Sequence, residues 1–299
     1  METASRRRLC IWLFVSLAVC GLLVGWLLSR KSRIDILFDS YASLVSPDGT
    51  WNSQEYEPLL KLYEEMVRQD SGKRYAKVSR MLKYGTSHER LAAVSFLYAW
   101  SIQWGVQWRG TDRERGQDVQ PGLKARFSIL FREDDVLVKN MLQQNPNVRT
   151  LFCIVLLLID GDYHMATVSR LALTDPDENV RTRLLSSLSL FIRDDKVNEI
   201  LSVALKDSSP IVRLVALQEM YSRTHEKSLV PQLVDMLRTC PQRTLSVLVA
   251  LRNHDDTSRS LFETTVKRLG STKDYNNWSN GLPEDLLSRW EDWAKRLSE

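Results

Sequence analysis

The chain has 299 residues, of which 43% are hydrophobic and 26% are charged. That composition excludes a disordered chain and suffices for one large domain or two ordinary ones, and the scarcity of glycine and proline favours helices. Residues 1–33 carry six basic side chains against one acid, so the remainder is nearly neutral, which argues against a nucleic-acid-binding protein.

The first predicted element is an apolar segment at residues 9–28, with the sequence LCIWLFVSLAVCGLLVGWLL. It carries no charge, and its twenty residues are about the length that crosses the hydrocarbon core of a bilayer. Trp12 and Trp26 lie near its two ends, and basic residues flank it on both sides. We therefore expect residues 1–8 to form a basic tail and residues 9–28 to form a transmembrane helix in contact with the lipid bilayer.

A cleaved signal peptide is the alternative interpretation of this segment. Ser16-Leu17-Ala18 is a candidate small-residue cleavage site. Ten uncharged residues follow it, which favours an uncleaved anchor. The lysine and arginine counts on the two sides are equal, and the free amino group favours a cytoplasmic N-terminus. We expect a single-pass membrane protein whose soluble part lies on the non-cytoplasmic side.

Residues 29–54 have few periodic apolar positions beyond their start, so we predict that they form a juxtamembrane spacer. Apolar residues at helical spacing return in residues 55–270, which are predicted to form an array of helices.

Trp100, Trp104 and Trp108 recur every four residues, so on a helix they form one stripe. One interpretation is a core or capping face of the helical array. The other is an exposed aromatic ridge, for which these three tryptophans are the candidate partner-binding residues.

A 32-residue repeat runs through the second half of the chain. Arg149, Arg181 and Arg213, each preceded by a valine, lie 32 residues apart. Apolar residues follow each arginine at helical spacing, in NPNVRTLFCIVLLL, DENVRTRLLSSLSL and SPIVRLVALQEM. A unit with two short helices cannot bury its own apolar face, so the repeat predicts an all-α protein built as an α-solenoid.

The repeat resembles the HEAT family, in particular the short HEAT-like repeats found in phycobilisome lyases. The resemblance is carried by Asp175-Pro176, Val180-Arg181, Asp207, Pro210 and Val212-Arg213, with a partial copy at Asn145-Pro146 and Val148-Arg149. It implies a fold, a HEAT-like α-solenoid over residues 55–270, and says almost nothing about function.

Charged residues of the repeat are expected to form a structural ladder. Asp175 and Asp207 each end one unit and precede the next helix, where a carboxylate accepts unpaired backbone N–H groups. The resemblance implies that Arg181 pairs with Asp175 between layers of the array. It implies in the same way that Arg213 pairs with Asp207, and Arg149 belongs to the same series.

Motifs for catalysis, cofactors or metals are missing from the sequence. Residues 160–164, DGDYH, group acidic side chains with a histidine, but they fall at the turn between two helices of one repeat. Cys153 and Cys240 have no metal-ligand spacing and are predicted to be small core residues. We therefore predict no catalytic residue, cofactor, metal site or small-molecule substrate.

Residues 271–299 are predicted to form a C-terminal tail with a capping helix. Trp290 and Trp293 lie on the apolar side of that helix, which would cover the open end of the last repeat.

The expected function is a membrane-anchored, non-enzymatic scaffold or adaptor that binds another protein through the surface of the solenoid. The alternative, suggested by the family resemblance, is an enzyme or an enzyme subunit of the lyase-associated repeat type. The repeat residues themselves carry no chemistry for such a reaction.

Overall fold

A computed structural model describes residues 32–45, 56–109, 120–193, 195–270, 278 and 280–298 of the chain. These described residues contain fourteen α-helices and no β-strand, so this part of the protein is all-α. The predicted tail at residues 1–8 and the predicted transmembrane helix at residues 9–28 lie outside the described residues.

The helices, numbered in chain order, are α1 (Arg33–Leu44), α2 (Tyr56–Val67), α3 (Ser71–Tyr84), α4 (Ser87–Arg109), α5 (Gln120–Glu133), α6 (Asp135–Leu142), α7 (Pro146–Thr174), α8 (Glu178–Phe191), α9 (Lys196–Ala204), α10 (Pro210–Thr224), α11 (Val230–Thr239), α12 (Thr244–Leu251), α13 (Asp256–Leu269) and α14 (Glu284–Ser298). Short 3₁₀ turns at Lys227–Leu229 and Pro241–Arg243 lead into α11 and α12.

The first of two compact units comprises the described residues of Met1–Phe96 and Gly116–Arg126. In this unit α1 packs against α2 and α3. Phe38 of α1 and Phe96 are fully buried, and their rings meet edge to face with centroids 5.0 Å apart. This contact, together with the buried Met66 of α2, forms the core of the unit.

Helix α1 lies in the segment predicted to be a spacer, so the structure differs from the prediction there. Ser32 caps the helix, accepting from the backbone N–H of Asp35, while the Asp35 side chain accepts from the Ser32 backbone. The buried face of the helix consists of Ile34, Leu37, Phe38, Tyr41 and Ala42. Those positions have helical periodicity, but the stripe spans little more than two turns, which made it easy to overlook.

The second unit comprises the described residues of Leu97–Arg115 and Phe127–Glu299. Helices that follow one another along this unit pack together: α6 on α7, α7 on α8, α8 on α10, α10 on α11, and α11 on α12. Helices α7, α8 and α10 begin at Pro146, Glu178 and Pro210, which are 32 residues apart. The helix starts therefore follow the period of the sequence repeat.

Helix α7 consists of two segments joined at Asp160, where φ is −155° and ψ is 62°. It is the one helix among the described residues that is long and apolar enough to cross a membrane. Half of its most apolar window is buried within the protein, as is typical of core helices that meet the same criteria. Each segment alone is shorter than the roughly 20 residues that a bilayer-spanning helix needs.

A continuous cluster of buried apolar side chains extends from α7 to α14. At its C-terminal end, α14 packs on α11 and α13 and contributes Trp290 and Trp293, which are 0% and 2% exposed. Trp290 Nε1 donates to Thr265 Oγ1 at 3.3 Å, and Trp293 Nε1 donates to Asp255 Oδ2 at 3.0 Å. Large aromatic area is thus buried with both indole N–H groups satisfied, which holds α14 in place.

Candidate functional site

Two arginine–aspartate pairs connect consecutive helix pairs of the second unit. Arg149 donates from Nε and Nη2 to the carboxylate of Asp175, at 2.6 and 2.9 Å. Arg181 donates from the same two nitrogens to Asp207, with both bonds at 2.9 Å. All four side chains are at most 12% exposed. We call Arg149, Asp175, Arg181, Asp207 and Arg213 the arginine–aspartate ladder.

The pairing within the ladder is displaced by one repeat from the expected one. Each aspartate carboxylate binds the arginine of the preceding repeat, in a bidentate contact. The arginine of the aspartate's own repeat binds its backbone carbonyl instead. Arg181 Nη1 donates to the carbonyl of Asp175 at 2.7 Å, and Arg213 Nη1 donates to that of Asp207 at 2.8 Å.

The ladder is a set of ion pairs without acid–base capacity. Burial acts to raise the pKa of Asp207, but hydrogen bonds from Arg181 and from the Ser209 N–H, with the charges of Arg181 and Arg213, hold that pKa below its usual value. Asp207 is therefore ionised at neutral pH, and arginine does not release its proton. The ladder joins layers of helices and carries no reaction.

The DGDYH turn inside α7 forms a second polar cluster. The Asp160 carboxylate accepts from Ser128 Oγ at 2.5 Å and from Arg132 Nε and Nη2 at 2.5 and 2.9 Å. The Arg132 guanidinium lies 4.9 Å from the ring centroid of Tyr163. The hydrogen bond from Arg132 lowers the pKa of Asp160 against the effect of its partial burial. The carboxylate is thus engaged by Arg132, as a structural turn requires.

His164 lies beside this cluster and is 3% exposed. Its Nε2 is buried without a hydrogen-bond partner, and burial lowers its pKa. A histidine in that setting is neutral at pH 7. Since Ser128 donates to Asp160 and not to a base, the cluster lacks the serine–histidine contact that activates a nucleophile.

Other turns between paired helices are joined by contacts that sequence reasoning missed. Arg223 Nη1 donates to the carbonyl of Ile192 at 3.0 Å, and its Nε donates to Asn198 Oδ1 at 2.8 Å. Tyr221 Oη and His254 Nδ1 are 2.6 Å apart. These residues do not recur with the repeat period, so a periodicity search does not identify them.

The tryptophan stripe is only partly described. Trp100 is 2% exposed, so it is a core residue and not part of an exposed ridge, which corrects the partner-binding prediction at that position. The side chains of Trp104 and Trp108 lie outside the described residues.

Exposed apolar side chains on the second unit offer a different surface. Leu190 and Val203 are 68% and 56% exposed. A groove of about 400 Å³ lies between α7 and α9 and is lined by Leu173, Ser202, Val203, Ala204, Lys206 and Asp207. We call it the α7–α9 groove. It places apolar side chains beside a charged edge, as in the core and rim of a protein interface.

Metal and thiol chemistry find no support in the part of the chain that the structure describes. That part contains no group of three or more His, Cys, Asp or Glu side chains that could hold a metal ion. Cys153 and Cys240 are buried free cysteines, as predicted. Burial raises the pKa of the Cys153 thiol to about 12, so this thiol is unreactive at neutral pH.

No family model, no curated protein and no solved structure matches the chain. Function is therefore inferred from the chain's own residues and their geometry.

Proposed function

We propose that the chain is a membrane-anchored scaffold whose helix pairs stack into an α-solenoid of HEAT-like repeats and bind another protein. The observation that carries the proposal is the arginine–aspartate ladder. Two bidentate pairs, Arg149 with Asp175 and Arg181 with Asp207, each join residues 26 positions apart in the sequence. The same contact repeated between successive helix pairs is what a stacked array requires.

The apolar core supports this architecture. Successive helix starts lie 32 residues apart, and each helix pair shares its buried side chains with the next. No pair encloses its own apolar face, so the pairs depend on their neighbours for stability. Helix α14 covers the last pairs with two buried tryptophans, as a terminal cap does.

The α7–α9 groove supports protein binding over catalysis. Val203 is more than half exposed on a helix whose other apolar side chains, such as Val197 and Leu201, are fully buried. Burying that exposed area against a partner would stabilise a complex by about 25 cal/mol per Å² of apolar surface. Lys206 and Asp207 at the groove edge would orient the partner.

The anchor completes the proposal. Residues 9–28 span the bilayer, residues 1–8 form the cytoplasmic basic tail, and the helical part lies on the non-cytoplasmic side. Alkaline extraction of membranes tests the anchor: the full chain stays in the pellet, and a variant without residues 9–28 appears in the supernatant. A full chain released by alkali contradicts the anchor without bearing on the groove.

Binding is tested by chemical cross-linking of the full chain in its membranes, comparing Val203→Glu with Val136→Glu. Val136 is 68% exposed on α6 and lies outside the groove, so it receives the same substitution as a matched control. We expect the main cross-linked product of the wild type to persist with Val136→Glu and to be lost with Val203→Glu. Identical products from all three proteins would remove the groove as the binding surface.

A further inference from the structure

We infer that Arg213 is a binding site for a carboxylate that the described chain does not supply, and that its ligand is an acidic side chain of a partner polypeptide. The inference rests on the proposed scaffold function, since it assigns the partner a chemical feature. It concerns the open end of the arginine–aspartate ladder.

Arg213 is held in the same way as the two arginines that do bind carboxylates. Nη1 of Arg149 donates to the carbonyl of Gln144 at 2.7 Å, and Nη1 of Arg181 donates to that of Asp175 at 2.7 Å. Nη1 of Arg213 donates to the carbonyl of Asp207 at 2.8 Å. The shared backbone contact at the start of each helix orients the three guanidinium groups alike.

The carboxylate partner is missing from this repeat. The aspartates bound by Arg149 and Arg181 follow them by 26 residues, and the residue 26 positions after Arg213 is the exposed Thr239. Cys240, which is 1% exposed, ends α11 in the way that Asp175 ends α7, with its N–H bound to the carbonyl four residues earlier. A neutral thiol therefore stands where the other repeats place an acid.

The Nε and Nη2 groups of Arg213 are free to bind a ligand. The hydrogen bonds that Arg213 makes within the described residues both come from Nη1. Arg213 itself is half-buried, and its nitrogens are not among the buried atoms that lack a partner. The two donors thus face solvent, and binding them requires no rearrangement of the core.

The local charge favours an anion. The positive charges of Arg213 and Arg243 both act on the Cys240 thiol, against the effect of its burial on the pKa. Asp207 is the nearby acid, but its two oxygens are bound by Arg181. The positive charge of Arg213 is consequently not neutralised by a contact of its own.

The geometry selects a carboxylate, and the exposure selects a polypeptide source. The planar donors Nε and Nη2 match the two oxygens of a carboxylate, as the two earlier pairs of this chain demonstrate. One such contact contributes about 10- to 100-fold to affinity. That is too little to hold a free small carboxylate, but it positions an acidic segment that makes further contacts.

The test measures binding of a fluorescein-labelled peptide of alternating glutamate and glycine to the full chain in detergent, by fluorescence anisotropy. Arg213→Gln removes the donors, and Arg259→Gln, at a 57% exposed side chain, removes the same charge elsewhere. Cys240→Asp supplies an internal carboxylate, and Cys240→Ser is its uncharged control. Circular dichroism of each variant establishes that it is folded.

We expect Arg213→Gln to weaken peptide binding at least about tenfold, and Arg259→Gln to leave it near the wild-type value. Cys240→Asp should lose binding to a similar extent, while Cys240→Ser keeps it. No binding to the wild type, or equal binding to Arg213→Gln, overturns the site. Citrate competing as well as the peptide at equal carboxylate concentration overturns the polypeptide source.

The two proposals fail separately. Equal peptide binding by the wild type and Arg213→Gln leaves the scaffold proposal to be judged by the cross-linking of Val203→Glu. Loss of the cross-linking difference with intact, Arg213-dependent peptide binding rejects the α7–α9 groove and keeps the carboxylate site.

Discussion

Arg181 donates two hydrogen bonds of 2.9 Å to the carboxylate of Asp207, which lies 26 residues further along the chain. The same guanidinium donates through Nη1 to the backbone carbonyl of Asp175 at 2.7 Å. One side chain therefore binds the start of its own repeat and the end of the next. Such a buried pair adds little net stability over apolar residues of similar size, but it is costly to break and it defines which helices are neighbours.

Removing Arg181 leaves Asp207 as an uncompensated, mostly buried charge. We expect Arg181→Gln to lower the free energy of unfolding by about 3–5 kcal/mol in urea titrations of the full chain. Arg238→Gln is the matched control, because Arg238 also binds two oxygens of Glu284 and Glu291 but is 49% exposed. Its loss should be far smaller, and equal losses in the two variants would contradict the role given to the buried pair.

Asp35 gives the first unit a defined response to acid. Burial acts to raise its pKa, but hydrogen bonds from Lys77 and Ser32 and the charges of Lys77 and Arg80 lower it to about 2, from 3.8. Because the folded pKa is the lower one, this stabilisation is complete above about pH 4 and is lost as the pH falls through about 2.

The stability difference between the wild type and Asp35→Asn should thus be constant above about pH 4 and shrink toward pH 2. Urea titrations at a series of pH values measure it. Glu57→Gln is the control, since Glu57 and its partner Lys61 are 76% and 73% exposed. A difference for Asp35→Asn that does not change with pH would show that the carboxylate is not stabilised by its neighbours.

His164 should make the second unit less stable in mild acid. Burial lowers its pKa from 6.5, and Asp160, the nearby acid, is already bound by Arg132. Because the folded pKa is the lower one, its contribution is present above about pH 6.5 and is lost as the pH falls through the folded value. The thermal midpoint of His164→Leu should fall less than that of the wild type between pH 7 and 5.

A suitable control is His225→Asn, because His225 is exposed and has φ of 52°, which asparagine tolerates. This control should keep the pH dependence of the wild type. Parallel pH profiles for the wild type and His164→Leu would mean that His164 does not titrate differently in the folded protein.

Trp290 secures α14 to the rest of the second unit. It is fully buried, and its Nε1 donates to Thr265. We expect Trp290→Ala to cost about 3–5 kcal/mol in free energy of unfolding, because a large cavity opens under the helix. Tyr84→Ala, at a residue that is 82% exposed, is the comparison and should change stability little. Comparable losses would mean that α14 is not part of the cooperative unit.

Several features were within reach of the sequence because they depend on nearby residues. Helix starts at Pro146, Glu178 and Pro210 follow from caps and apolar spacing within a few residues. The burial of Cys153 and Cys240 follows from their position among apolar neighbours. These are local properties, and the repeat reinforces them by stating them more than once.

Other features depend on where distant helices lie, and sequence periodicity gave the wrong answer or none. Trp100 has the same spacing as a surface stripe, yet it is 2% exposed. Arg223 and Tyr221 bind turns of neighbouring helix pairs without any repeated motif. Which side of a helix is covered depends on the helix beside it, and spacing alone does not name that helix.

The sequence by itself determined an all-α chain with a 32-residue repeat, since propensity, capping and apolar period act over one or two turns of helix. Only the tertiary structure decided that Arg181 binds the acid of the following repeat, and that Arg213 lacks an equivalent acid. A bidentate ion pair forms where side chains 26 residues apart meet in space, and packing between helices, not spacing along the chain, sets that meeting.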